Sequence, residues 1–111
     1  MQVRRLEKSR HHLVATMLAE SLVEAAMEEG FERTPETDPD KIEVQEVTMN
    51  TATKSPTGEW GDIPVLYKTT QFVTAIGEKD DKLKKVEVIV SWEDSAGGGK
   101  ISLVTYLAGV I

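Results

Sequence analysis

The sequence predicts an α+β fold in which a long N-terminal helix packs on a four-stranded antiparallel sheet. Apolar residues recur at helical spacing between residues 2 and 30. Four later segments are rich in β-branched residues and alternate apolar with polar positions, as strands with one buried face do. Because short connections join these segments, neighbouring strands are expected to run antiparallel, with the helix across one face.

The predicted helix covers residues 2–30 and carries one apolar stripe. The residues of this stripe, which we expect to face the sheet, are Val14, Met17, Leu18, Ser21, Leu22 and Ala25. Gly30 is expected to end the helix and Phe31 to fold back on it. At 1.5 Å per residue the helix is about 42 Å long, more than a domain of this size covers. Residues 2–12 are therefore expected to project past the sheet.

The start of this helix lacks the usual features of a helix N-terminus. No Ser, Thr, Asp or Asn caps it. Basic residues crowd its first turns, namely Arg4, Arg5, Lys8 and Arg10, whereas acidic residues gather near its end, namely Glu20, Glu24, Glu28 and Glu29. The macrodipole favours the opposite order. We therefore expect the helix to continue upstream of Met1, and the basic cluster lies where a membrane surface would be if that upstream segment were a membrane anchor.

The first strand is expected over residues 41–53, where the apolar alternation shifts phase between Val44 and Val47 and so predicts a β-bulge. The other three strands are expected over residues 67–76, over residues 85–92 and from residue 101 onward. Proline, glycine and polar residues mark the four connections before and between the strands. These are a loop over 32–40, an irregular segment over 54–64, a turn over 77–82 and a hairpin loop over 93–100.

Composition limits the function classes. The net charge of −6 argues against nucleic acid as a partner, because phosphate binding needs a concentrated basic face. The chain has no cysteine, which excludes a disulfide, a thiolate nucleophile and a Cys-based metal site. At 111 residues it fits one domain, which we divide into the helix of residues 1–30 and a β head of residues 31–111.

Catalytic, cofactor and metal sites are not predicted. His11 and His12 are the only histidines, and adjacent helical residues point about 100° apart, so they do not face one metal together. We expect both to be solvated on the projecting helix. The triple glycine of residues 97–99 lies between two strands and is expected to be a flexible hairpin tip rather than a phosphate cradle.

The helix also carries apolar residues that the sheet is not expected to cover. Leu6, Leu13, Val23 and Met27 lie outside the main stripe, and Ala15, Ala19 and Ala26 form a separate smooth line that lets another helix approach closely. Helix propensity alone explains the alanines about equally well, and a wide core stripe would explain the larger residues. The predicted partner interface consists of Leu6, Leu13, Ala15, Ala19, Val23 and Met27.

Nearly the whole chain resembles a known family. The segment LVATMLAESLVEAAMEEGF and the C-terminal KVEVIVSWEDSAGGGKISLVTYLAGVI are similar to the soluble region of type IV pilin-like proteins. The closest likeness is to the I-type minor pseudopilins of type II secretion and to related minor pilins of type IV pili. It lies in a Val-x-Val-x-Trp strand, a Gly-rich turn and a Leu-x-Thr-Tyr strand.

The resemblance implies a structural subunit, not an enzyme, anchored in the inner membrane by an upstream hydrophobic helix and facing the periplasm. The partners that it implies are other minor and major pilin-like subunits, which contact the helix. No disulfide loop or calcium loop of the major subunits is evident, which favours a minor one. The alternative class is a cystatin-like helix-on-sheet module that binds a protein or small ligand through the loops of residues 54–64 and 93–100.

Overall fold

One helix and four strands make up the described part of the protein. The computed structural model describes residues 2–54, 59–77, 82–93 and 98–109, and it describes the backbone alone for residues 2–9, 51–54, 60, 62 and 63. The elements are α1 (Gln2–Arg33), β1 (Val44–Lys54), β2 (Trp60–Ala75), β3 (Leu83–Trp92) and β4 (Gly99–Ala108). The helix packs on a four-stranded antiparallel sheet, which confirms the predicted α+β class.

The sheet is a meander in which each strand pairs with the next along the chain, in the order β1-β2-β3-β4. The pairing of β1 with β2 runs without a break from Val44↔Thr70 to Lys54↔Trp60, so the predicted bulge is wrong. The phase shift has a simpler cause. Ile42 precedes the strand, Val44 lies on the outer face of the sheet, and Val47 lies on the face that carries the helix.

The second strand begins earlier than predicted, within the segment expected to be irregular. Seven residue pairs, from Thr48↔Leu66 to Lys54↔Trp60, extend the β1–β2 ribbon past the pair Tyr67↔Trp92, where the described part of β3 ends. Pro64 fits this ribbon because its backbone nitrogen faces away from β1, on a side where a strand tolerates proline.

The helix lies over β3 and β4 and also reaches β1. Its buried side chains are His11, Ala15, Ala19 and Ala26, and its partly buried ones include Val14, Leu18, Leu22 and Val23. Met17, Ser21 and Ala25, which were predicted to face the sheet, are exposed. The small alanine side chains let the helix axis approach the sheet closely, and the larger residues fill the space on either side.

The core has its centre on β3, whose inward residues Val86, Val88 and Val90 are fully buried. At the end of this row, the ring of Trp92 lies 6.1 Å from that of Tyr67 and meets the His12 ring edge-on at 6.3 Å. His11 is fully buried. The prediction that residues 2–12 project past the sheet as a stalk with two solvated histidines is therefore wrong at His11, whereas His12 is exposed as predicted, with its ring edge-on to Trp92.

The C-terminal end of the helix is attached to the sheet by Lys84. Gly30, with the non-helical values φ 80° and ψ 177°, ends the first stretch of helix as predicted, and a short second stretch follows across this kink to Arg33. The Lys84 ammonium group donates to the carbonyls of Phe31 and Thr34, both at 2.8 Å, and lies 4.2 Å from the centre of the Phe31 ring. A cation at this end complements the partial negative charge of the helix C-terminus.

The loop that follows the helix is fixed to β2 by Thr37. The Thr37 amide donates to the Val73 carbonyl at 2.9 Å, and the Val73 amide donates to the Thr37 hydroxyl at 2.8 Å. An Asx turn at Asp38 then redirects the chain, since the Asp38 carboxylate accepts from the Asp40 amide at 2.9 Å. These bonds set the point at which β1 joins the sheet.

Candidate partner-binding surfaces

The helix presents an apolar and acidic stripe to solvent. Leu13 and Met17 are each 59% exposed and Met27 is 57% exposed. Glu20 and Glu24 are also exposed. At 100° per residue these five positions fall within an arc of about 80°, opposite the alanines that face the sheet. We call this set, Leu13, Met17, Glu20, Glu24 and Met27, the outer helix stripe.

The structure divides the predicted partner interface into three groups. Leu13 and Met27 lie on the outer helix stripe, and Val23 is half-buried against the core. Ala15 and Ala19 are fully buried under the helix, so their assignment to a partner surface is wrong. Their small side chains let the sheet of the same chain approach the helix closely at these positions. The side chain of Leu6 lies outside the described part of the structure.

Met17 is the surface residue that the sequence interpretation missed. Hydrophobicity alone placed it in the buried stripe, yet it lies on the same face as Glu20 and Glu24, three and seven residues further along the helix. Two exposed glutamates at those spacings were the available signal, because a core-facing stripe does not carry unpaired carboxylates.

A cleft of about 690 Å³ is relevant to the alternative function, that of a binding module. It lies at the end of the sheet beside the hairpin loop, and its walls include Leu66, Lys68, Ser91, Trp92 and Lys100. Residues 94–97 of that loop and residues 55–58 of the other predicted binding loop lie outside the described residues. Gly99, predicted to be part of a flexible tip, begins β4 and lies under the Trp92 ring.

A second cleft, of about 330 Å³, lies between the loop that begins at Pro35 and the edge of β2. Glu36, Asp38, Lys41 and Glu43 line it together with threonines of the sheet. Among the side chains that the structure describes, no three of His, Cys, Asp or Glu come close enough together to hold a metal ion.

A search for a bilayer-spanning segment in the described part of the chain finds no helix with the necessary length and apolar character. Comparisons of the chain with protein families, with curated proteins and with solved structures found no match.

Proposed function

We propose that this protein is an assembly subunit of a pilin-like filament, either a type II secretion pseudopilus or a type IV pilus, and that it is a minor subunit. The observation that carries the proposal is the outer helix stripe, where three large apolar side chains are more than half exposed. An isolated helix-on-sheet domain gains nothing from exposing them, whereas a helix that packs against neighbouring subunits buries them.

The order of elements supports this proposal. A helix followed by a four-stranded antiparallel meander agrees with the resemblance of the last two strands to pilin-like proteins. In the proposed assembly the helix continues upstream into an anchor in the inner membrane, and the β head faces the periplasm. The partners are other minor and major pilin-like subunits, which contact Leu13, Met17 and Met27, and Leu6 on the preceding turns.

The proposal is tested by binding to the other pilin-like subunits of the same organism. Met17→Glu adds a carboxylate near Glu20 and Glu24 and removes one of the three large apolar side chains of the stripe, and we expect at least tenfold weaker binding, as for a residue that carries much of an interface's binding energy. Ala25→Glu is the matched control, because it adds the same charge at an exposed position of the same helix away from the stripe. Isothermal titration calorimetry measures the affinities, and circular dichroism checks that both variants fold.

Equal binding by the two variants would remove the outer helix stripe from consideration. Fractionation of the full-length protein gives a second readout, since an anchored subunit sediments with the inner membrane.

The binding module remains the second candidate function because of the cleft of about 690 Å³ beside the hairpin loop. Its walls combine the apolar Leu66 and Trp92 with the charged Lys68, Lys100 and Glu93. Because the two lysines outnumber the one carboxylate, the cleft suits a small amphipathic anion. Lys68→Ala would weaken binding of such a ligand and leave subunit binding through the helix unchanged, which separates the two functions.

A further inference from the structure

Both edges of the sheet carry backbone groups that face outward. The order β1-β2-β3-β4 makes β1 and β4 the edge strands. In an antiparallel pair, alternate residues direct both N–H and C=O toward the same neighbour. The Gly109 amide donates to the Lys82 carbonyl at 2.7 Å, so odd-numbered residues of β4 bond to β3. Even-numbered residues therefore face the free edge, and these are Lys100, Ser102, Val104, Tyr106 and Ala108.

The same reasoning applies to β1. The Ile76 amide donates to the Leu83 carbonyl, so even-numbered residues of β2 bond to β3 and odd-numbered ones face β1. The bonds of Val73 to Thr37 agree with this assignment. Since Gln45 lies opposite Thr69 and Val47 opposite Tyr67, the residues of β1 that face its free edge are even-numbered. Those with described side chains are Val44, Glu46, Thr48 and Asn50.

Exposed apolar side chains of the sheet concentrate on these two edge strands. Val44 is 53% exposed and Met49 39% on β1, and Val104 is 44% exposed and Tyr106 58% on β4. Soluble proteins protect edges with charges, prolines or bulges. Residues 101–108 of β4 contain none of these, and β1 pairs with β2 without a bulge.

The two edges are complementary in one register. When a second copy is displaced sideways in the plane of the sheet, its β1 runs antiparallel to β4 of the first copy. With Tyr106 opposite Val44, Ser102 lies opposite Thr48 on the outer face. On the helix-bearing face, Leu103 lies opposite Val47 and Ile101 opposite Met49. Aromatic with β-branched, hydroxyl with hydroxyl and apolar with apolar are favourable cross-strand pairs.

Charges agree with this register. Glu46 lies opposite Val104 and Lys100 opposite Asn50, so no like charges face each other. The edge-facing residues of both strands then form hydrogen-bonded pairs, and the previously outward N–H and C=O groups bond to one another.

We propose that copies of this chain associate head to tail, with β4 of one copy pairing antiparallel to β1 of the next. The sheet continues from copy to copy, and all helices lie on one face and point in one direction. Because the contact joins two different surfaces, it leaves a free β1 at one end and a free β4 at the other, so association continues along the row. This self-association goes beyond the contact of the helix with other pilin-like subunits.

Disulfide trapping in the purified full chain tests the pairing, since the chain has no native cysteine. Glu46→Cys and Val104→Cys are prepared as separate single variants and mixed under mild oxidation. Opposed hydrogen-bonded residues have Cα atoms about 5.5 Å apart, within the range that a disulfide bridges. We expect a cross-linked dimer in the mixture and little in either variant alone.

Two outcomes would overturn the proposal. Cross-linking of Val104→Cys with itself would show a two-fold β4–β4 pair instead, and no cross-link in the mixture would show that these edges do not meet.

Charge substitutions give an independent readout by sedimentation velocity over a concentration series. Val104→Glu faces Glu46 of the next copy and is expected to weaken association about fivefold, whereas Val104→Lys is expected to preserve or strengthen it. Adding Glu46→Lys to Val104→Glu restores an opposite-charge pair and is expected to restore association.

Thr70→Glu is the matched control, because Thr70 lies on the same outer face but in the interior of the sheet, between Val44 of β1 and Ile89 of β3. Equal weakening by Thr70→Glu and Val104→Glu would indicate face-to-face packing of sheets and overturn edge pairing, as would a wild-type chain that stays monomeric at every concentration. These assays use this chain alone, so their failure is distinguishable from loss of binding to other pilin-like subunits.

Discussion

Strands β1 and β3 are both rich in β-branched residues and have opposite environments. The inward residues of β3 are fully buried at Val86, Val88 and Val90, whereas among residues 44–50 of β1 only Val47 is even half-buried. The helix lies over β3 and β4 and reaches β1 only in part. A run of β-branched residues thus identifies a strand, and the position of the helix decides whether either face of that strand is buried.

The largest expected effect on this difference in burial comes from a substitution that separates the helix from β3. Ala19→Arg places a long charged side chain where Ala19 is fully buried, and we expect a loss of about 3 kcal/mol or more of the free energy of unfolding. Met17→Arg is the control, because Met17 is 59% exposed, and its effect should stay within about 0.5 kcal/mol. Urea denaturation followed by circular dichroism measures both. Comparable stability of the two variants would contradict the burial of Ala19.

A smaller expected effect on stability compares the two strands directly. Val88→Ala removes two buried methyl groups and leaves a cavity, for an expected loss of about 2 kcal/mol in the free energy of unfolding. Val47→Ala makes the same chemical change on β1 and is expected to cost less than about 1 kcal/mol, since part of the side chain is in water. The difference between the two midpoints in urea is the measured quantity. Similar costs would show that the helix covers both strands alike.

The smallest effect concerns the attachment of the helix end to β3. Lys84→Met keeps the aliphatic part of the side chain but removes two hydrogen bonds to carbonyls and the contact with the Phe31 ring. We expect a loss of about 1–2 kcal/mol in the free energy of unfolding. Hydrogen exchange should also increase near the helix C-terminus. Lys68→Met, at an exposed lysine of the outer face, is the control, and an equal effect there would refute a specific role for Lys84.

The comparison also explains which parts of the site the sequence could predict. The order of helix and strands follows from local periodicity and short connections, and both were predicted correctly. The helix face that meets the sheet was predicted only in part, since Val14, Leu18 and Leu22 pack against the core as expected. Met17 was placed wrongly, because large apolar residues dominate any hydrophobicity pattern. Where the helix comes closest to the sheet, only the smallest side chains fit between them, and Ala15 and Ala19 are therefore the buried residues. The exposed residues of the outer helix stripe were therefore only partly identified.

The sequence by itself determined the class of fold, because helical and strand periodicities arise from local backbone geometry and are visible in any window of residues. It also determined where the chain is acidic and where it lacks charge. Only the tertiary structure decided the rotation of the helix about its axis, the burial of His11 and the positions of β1 and β4 as free edges. These depend on packing between residues far apart in the chain, where shape, close approach and hydrogen-bond register act together and leave no local pattern.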